Sequence, residues 1–480
     1  MHTYKITCVL GIAVITFFES CAVRKYEAPQ VDIPESFRTI ADSSAGADIT
    51  ADSGIATIPY QEFFTDTTLV SLIDSGVARN LDLQIAIKQI EYAGQALTQA
   101  KWGNVPTVNL TVGQASITRS SDNSLNGALA GQFLGKSYVT DYSSALGISW
   151  EADIWGKIKS RKDAALAGFL QSQEAAKAVR TRLVSNIAQG YYNLLMLDEQ
   201  LEVTRRSIAL LDTSIRVTTF LRDAGNVSTL AVQQLEASRE QAIALLPQLQ
   251  QQLLVQENSL SILTGRVPGR INRTIHIANV NLHETLAAGI PANMVSERPD
   301  IRKAELAIRQ SHAMVNTARA SMYPGLNITA QGGLNSVEAS DWFKVPGSLF
   351  GIAAGSLIQP ILQNKRLKTQ YEQSKISLEQ SALQFKQSVL GALGEVSNAL
   401  SQIEKLSEQE EHTSRQVDIL GGAVKNSMVL FDNGGATYLE VLTAQNNKLQ
   451  AELTLAGLQR ERLSAEVLLY QSLGGGWKQK

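Results

Sequence analysis

The sequence predicts a mixed α+β protein written twice over, in which very long helices join strand pairs that can close a barrel only when several chains pool them. Three observations carry this expectation. The passage NLDLQIAIKQIEYAGQALTQAKWGNVP, from Asn80, returns without gaps as RPDIRKAELAIRQSHAMVNTARASMYP, from Arg298. Asp82 answers to Asp300, Ala86 to Ala304, Ile90 to Ile308, Ala100 to Ala318, Pro106 to Pro324 and Asn109 to Asn327, each pair 218 residues apart. Six identities in one register argue for duplication. Second, proline is missing from Thr107 through Leu246 and again from Ile361 to the end, which leaves room for uninterrupted helices. Third, the segments between the first and second helix of each repeat alternate apolar and polar residues.

The chain begins MHTYKITCVLGIAVITFFESCAVRKYEAP, with Lys5, an apolar run from Ile6 to Phe18, then Ser20 and Cys21. Residues 1–20 read as a secretory signal. Cys8 and Cys21 are the only cysteines, and Cys8 leaves with the signal, so the mature chain can form no internal disulfide. A lone thiol just behind a signal suggests a bacterial lipoprotein acylated on Cys21, carrying N-acyl and S-diacylglycerol chains. Phe18 and Glu19 depart from the usual lipid-attachment pattern, and a signal cut elsewhere is the alternative. Residues 21–59, rich in Ser, Ala, Asp and Pro, read as a lipid-anchored tether.

The first repeat is expected over 60–275, a connector over 276–295, the second repeat over 296–474 and a tail over 475–480. Each repeat reads helix, two strands, very long helix, turn, helix. From about Gly156 to Val217 apolar residues recur at helical spacing, as in Leu183, Ile187, Tyr191, Leu194, Leu197 and Leu201. At about 1.5 Å per residue, roughly 60 residues extend about 90 Å, which points to a coiled coil or tube. A second duplicated block lies beyond the long helix: LRDAGNVSTLAV, from Leu221, matches LFDNGGATYLEV, from Leu430, setting Asp223 over Asp432 and Gly225 over Gly434 at a separation of 209. These residues close one helix and allow a tight reversal, with Ser228 or Thr437 placed to cap the next. Pro247 should kink the helix that contains it.

Val108, Leu110 and Val112 alternate with polar residues, as do Tyr142, Leu146, Ile148 and Trp150. In the second half Leu326, Ile328 and Ala330 do so, then Phe350, Ile352, Ala354 and Ile358. The tips between them are read as polar. Such segments fit a transmembrane barrel or a soluble hairpin resting on helices. In lipid, four strands cannot close by themselves and open edges are not tolerated, so several chains would have to contribute.

With 44% hydrophobic residues and a formal net charge of -2, there is no global basic field for nucleic acid. His2, His276, His283, His312 and His412 show no metal-ligand spacing. No phosphate-binding glycine loop, nucleophile elbow or zinc-protease helix occurs. No catalytic residue, metal or cofactor is expected beyond the lipid.

WEADIWGKIKSRKDAALAG from Trp150, AQGYYNLLMLDEQL from Ala188, ERPDIRKAE from Glu297, LIQPILQNKRLK from Leu357, LGEVSNALSQ from Leu393 and FDNGGATYLEVLTAQ from Phe431 resemble, in order, the signature segments of TolC-like outer-membrane efflux proteins. KYEAPQVDIP behind Cys21 resembles the OprM/NodT-type lipoprotein branch. The resemblance implies a homotrimer in the outer membrane of a Gram-negative bacterium. Three chains would give four strands each to one twelve-stranded transmembrane barrel continuous with a long α-helical periplasmic barrel. It also implies a passive exit duct for drugs or other small molecules, working with a periplasmic adaptor (membrane fusion) protein and an inner-membrane pump of the resistance-nodulation-division (RND) type. A duct for secreted polypeptides is the nearest alternative, and a lipid-anchored periplasmic coiled-coil scaffold is one of another class.

The same resemblance places the turns at Asp223, Gly225, Asp432 and Gly434 at the periplasmic tip. It sets Glu440 at an acid of the tip constriction and Thr443 at a second position that is acidic in some members. The first-half counterpart of Glu440 is Ala231, so a trimer would carry three such carboxylates. The alternative is a solvated glutamate in the first turn of a helix, favoured there by the dipole. Phe431 and Ala436 fall where some relatives carry a latching tyrosine and arginine.

Overall fold

A computed structural model describes residues 58–121, 124–136, 138–280 and 298–478. The signal, Cys21 and nearly all of the tether lie outside the described residues, as do positions 281–297, which hold most of the expected connector. Among the described residues the helices are α1 (Tyr60–Phe63), α2 (Thr67–Arg79), α3 (Leu81–Lys101), α4 (Leu125–Leu134), α5 (Lys157–Asp223), α6 (Thr229–Leu263), α7 (Pro299–Ala320), α8 (Arg366–Asp432) and α9 (Tyr438–Ser472). The strands are β1 (Thr107–Thr118), β2 (Val139–Ala152), β3 (Gly325–Ser336) and β4 (Leu349–Ile358).

The duplication is explicit in the element bounds. α5 and α8 are each 67 residues long, α6 and α9 each 35, and each pair starts 209 residues apart, whereas β1 and β3 start 218 apart. The difference arises in the hairpins. The first hairpin's connection contains α4, LNGALAGQFL, with no charged residue. This corrects the expectation of a polar tip, because a Leu- and Ala-rich run forms a helix between the Ser- and Asn-containing flanks.

The described residues form two compact units, 92–170 with 305–383, and 58–91 with 171–280, 298–304 and 384–478. In the first, the four strands form an antiparallel meander in the order β1-β2-β3-β4. β2 of the first repeat pairs directly with β3 of the second, Ala152 opposite Leu326 and Tyr142 opposite Ser336. α5 begins at a carboxylate cap, Asp153, whose oxygens accept from the backbone N–H of Ile158 (2.9 Å) and Lys159 (2.8 Å). Small residues mark the helix contacts in this unit: Gly168 faces Gln310, and Ser311 and Ser381 are 2.8 Å apart.

The second unit is helical. Tyr60, Phe63, Phe64, Leu69 and Ile73 pack with Ile187, Tyr191, Leu194, Val389, Val396 and Tyr470 in one core, and Phe63 stacks on Tyr470 at 4.1 Å. Asp66 caps α2 through Thr68 N–H (2.7 Å) and accepts from the Tyr191 hydroxyl (2.6 Å). Burial and then Asp66 push the Tyr191 phenol far above its usual range. Pro247 lies inside α6 at an exposed position, and the helix runs on to Leu263. At the C-terminal side Gly475 and Gly476 are buried, Gly475 against the ring of Tyr470.

Candidate functional site

Two features can carry function: the turns that end the long helices, and the sheet. In the first turn α5 stops at Asp223, Gly225 takes φ +82°, and α6 starts at Thr229; in its copy α8 stops at Asp432, Gly434 takes φ +73°, and α9 starts at Tyr438. The caps match bond for bond. Gly225 N–H donates to Arg222 O (2.9 Å) and Asn226 N–H to Leu221 O (2.8 Å); Gly434 N–H donates to Phe431 O (3.1 Å) and Gly435 N–H to Leu430 O (2.7 Å). A Cβ at Gly225 or Gly434 would meet nothing within 4 Å, so the sign of φ alone demands glycine.

The two turns lead into helices that start differently. Ser228 holds the N-cap position of α6 without a side-chain capping bond. Before α9, the Glu440 carboxylate reaches back to accept from Thr437 N–H (2.6 Å) and Thr437 Oγ1 (3.1 Å), the reciprocal half of a capping box. Its counterpart Ala231 is fully buried. The structure therefore places Asp432, Gly434 and Glu440 in one turn and Asp223 and Gly225 in the other. Asp223 pairs with its neighbour Arg222 at 2.7 Å. Thr443 is exposed one helical step beyond Glu440. Cys21, the expected lipidation residue, lies outside the described residues.

Sequence spacing gives no sign of a tie between the halves that the structure shows. The Tyr438 hydroxyl donates to Gln234 Oε1 at 2.8 Å, and Gln445 Nε2 donates to Ser214 Oγ at 2.8 Å in a buried contact. Both join α9 to first-half helices. The signal available was the pairing of Tyr438 with Thr229 across the duplication, an aromatic where the other half has a small polar residue. Behind Tyr438 lies a cavity of about 120 Å³ lined by Thr218, Met428, Phe431 and Val441.

Glu199, Glu202 and His276 also converge, although their sequence spacing shows no metal pattern. His276 Nδ1 lies 3.6 Å from Glu199 and 3.8 Å from Glu202. Arg206 already pairs with both carboxylates, at 3.4 and 3.1 Å, which supplies their counter-charge.

The sheet exposes Val108, Leu110, Val112 and Ile117 on β1 and Ile352, Leu357 and Ile358 on β4. Among the described residues β1 and β4 each pair on one side only. A row of unpaired backbone groups beside exposed branched apolar side chains suits lipid and further strands, not water.

Comparison with known proteins identifies the family. The family model described as "Outer membrane efflux protein" matches residues 72–266 and 290–475, one stretch for each repeat. The Salmonella typhimurium protein named "Probable outer membrane lipoprotein SilC" is 27% identical over 476 residues, 98% of each chain. The toluene efflux pump outer membrane protein TtgI of Pseudomonas putida is 28% identical over 419 residues, 87% of each chain. Among solved structures, the open state of the Neisseria gonorrhoeae MtrE outer membrane channel superposes with a TM-score of 0.82 at 25% identity, covering 95% of this chain and 99% of that one. With both repeats matched, the chain belongs to the outer membrane efflux protein family.

Proposed function

We propose that three copies of this chain close one barrel in the outer membrane and that their helices wall the path leading to it, forming the passive exit duct of a tripartite efflux system. The observation that carries this reading is the four-stranded sheet whose edges, β1 and β4, have no further partner among the described residues. An unpaired backbone group in hydrocarbon costs several kcal/mol, so those edges meet the edges of further copies. Two repeats in three copies give six similar wedges, in which differences between the halves, such as Glu440 against Ala231, become threefold features of a pseudo-sixfold wall.

The family supports a periplasmic adaptor protein and an inner-membrane pump of the resistance-nodulation-division type as partners. With no nucleotide-binding loop in the chain, the driving energy comes from the pump. The cargo is a drug or other small molecule, a reading supported by the toluene in the name of TtgI. Acylation of Cys21 is supported by the word lipoprotein in the name of SilC. Glu440 is the acid of the tip constriction, supported by its exposure and its place beside the turn at Gly434. A scaffold gives no role to exposed Val108, Leu110 and Val112. Cross-linking and mass measurement in mild detergent should give a trimer, and a stable monomer with full strand content would contradict the proposal.

A further inference from the structure

One end of the sheet carries a basic excess and the other does not. Register pairs Thr107 with Ser149, Ala152 with Leu326 and Gly325 with Ile358, so the helix-bearing ends of all four strands lie together. The segments there, 101–106, 151–163, 319–325 and 358–368, hold nine basic and three acidic side chains in a chain whose formal net charge is -2. The described residues of the segments at the opposite end, 118–121, 124–136, 138–141 and 336–349, hold three basic and three acidic ones.

The excess does not serve the helices that carry it. Lys159, Arg161 and Lys162 sit in the first turns of α5, and Lys365, Arg366 and Lys368 at the start of α8, neither of which has an acidic residue in its first turn. Helix N-termini favour negative charge, so this placement opposes the dipole. Nor does it serve ion pairing. Lys157 pairs with Glu151 at 2.6 Å, but among the described residues Lys101, Lys159, Arg161, Lys162, Lys365 and Lys368 form no ion pair. All six are exposed, and around α5 they alternate with buried Ile158, Ser160 and Ala164.

Aromatic and apolar groups accompany them. Trp150 Nε1 donates to Asn104 O at 2.9 Å and Trp155 Nε1 to Pro324 O at 2.7 Å, with Trp155 stacked on Tyr323 at 5.0 Å. Trp102 is exposed, and Ile361 and Leu362 are each 91% exposed beside Lys365. Amphipathic rings and bare aliphatic side chains next to unpaired cations have the composition of a membrane–water boundary.

We propose that this end of the sheet binds the anionic headgroups of the phospholipid leaflet that faces the helices, the rings and Ile361 and Leu362 entering the acyl boundary and the cations taking the phosphodiesters. The inference rests on the sheet spanning the outer membrane. It goes further in requiring negatively charged phospholipid, a condition that barrel closure alone does not impose.

The test uses full-length protein in mild detergent, titrated with phosphatidylglycerol or phosphatidylethanolamine and followed by native mass spectrometry and thermal melting. Native protein should retain phosphatidylglycerol in preference and melt higher with it, and inorganic phosphate alone should do neither. The triple variant Lys159→Gln, Arg161→Gln, Lys162→Gln should lose phosphatidylglycerol retention about tenfold or more while remaining a conducting trimer. Equal retention of the two lipids by the native protein, native-like retention by the variant, or an equal response to inorganic phosphate would overturn the proposal. So would dissociation of the variant into monomers, which would put these cations between copies, or a changed ion preference with lipid retention intact, which would put them in the lumen. A conducting trimer without lipid preference defeats this inference alone; absence of any conducting trimer defeats the duct reading and this inference with it.

Discussion

Arg298 Nη1 donates to the carbonyl oxygen of Ser472 at 2.7 Å, and this contact is the second-half copy of one that Asn80 Nδ2 makes with Leu263 O at 3.0 Å. Asn80 and Arg298 stand 218 apart, Leu263 and Ser472 209 apart, so both ends of the bond follow the duplication although donor chemistry has changed. In each half the bond fastens the start of the first repeat helix to the last residue of the final one. Asn80 also caps α3, accepting from Leu83 N–H at 2.9 Å. Arg298 instead pairs with Asp300 (2.7 Å) and Glu395 (2.8 Å).

Replacing Arg298 by Met should therefore be costly, because it strands the Ser472 carbonyl and two carboxylates at once. A loss of about 2–3 kcal/mol is expected, below the full cost of a broken buried pair because Asp300 and Glu395 are partly exposed. Burial alone would push the Asp300 carboxyl up, but the Arg298 guanidinium outweighs it and holds it below the ordinary carboxylate range. Asp300 thus contributes stability above its unfolded-state value that is lost as pH falls through the lower folded-state one. Thermal melts across the acid range should show Asp300→Asn removing part of the native loss. An unchanged melting point for Arg298→Met at neutral pH would contradict the assignment.

Glu440 accepts from Thr437 N–H, and glutamine can keep the capping geometry without the charge. Glu440→Gln should accordingly melt within about 0.5 kcal/mol of the native trimer, as surface changes usually do. If three Glu440 carboxylates converge on the axis, the same variant should lose cation preference and block by a trivalent cation added on the tip side. Block and preference identical to the native channel would leave Glu440 as a helix cap alone.

If Cys21 is the acylated residue, Cys21→Ala should abolish incorporation of labelled fatty acid while leaving assembly intact, because a lipid anchor builds no wall. Mass spectrometry of the mature protein showing an unmodified Cys21 would contradict acylation.

The repeated architecture was legible because duplication leaves a register: Asp82 with Asp300 and Gly225 with Gly434 can be matched before any helix is placed. The long helices follow from missing prolines and the stripe through Leu183, Ile187, Tyr191 and Leu194, all buried. Local pattern does not reveal α4, because LNGALAGQFL lies between Ser- and Gly-rich flanks. Pro247 does not end α6, because one lost backbone bond is small beside 35 residues of helix. The tie from Tyr438 to Gln234 spans 204 positions, and no spacing rule joins residues that meet only after both repeats have folded. Glu440 is singled out by resemblance, while its bond to Thr437 is also readable from the Thr-x-x-Glu spacing at 437–440.

If several copies pool these strands, they line a conducting pore. Purified full-length protein added to a planar bilayer should produce discrete, uniform conductance steps, and Glu440→Gln should keep the steps while altering ion preference. Protein that is trimeric and folded by circular dichroism yet yields no conductance steps, with the strands protected from lipid-phase labelling, would show that the strands form no membrane pore.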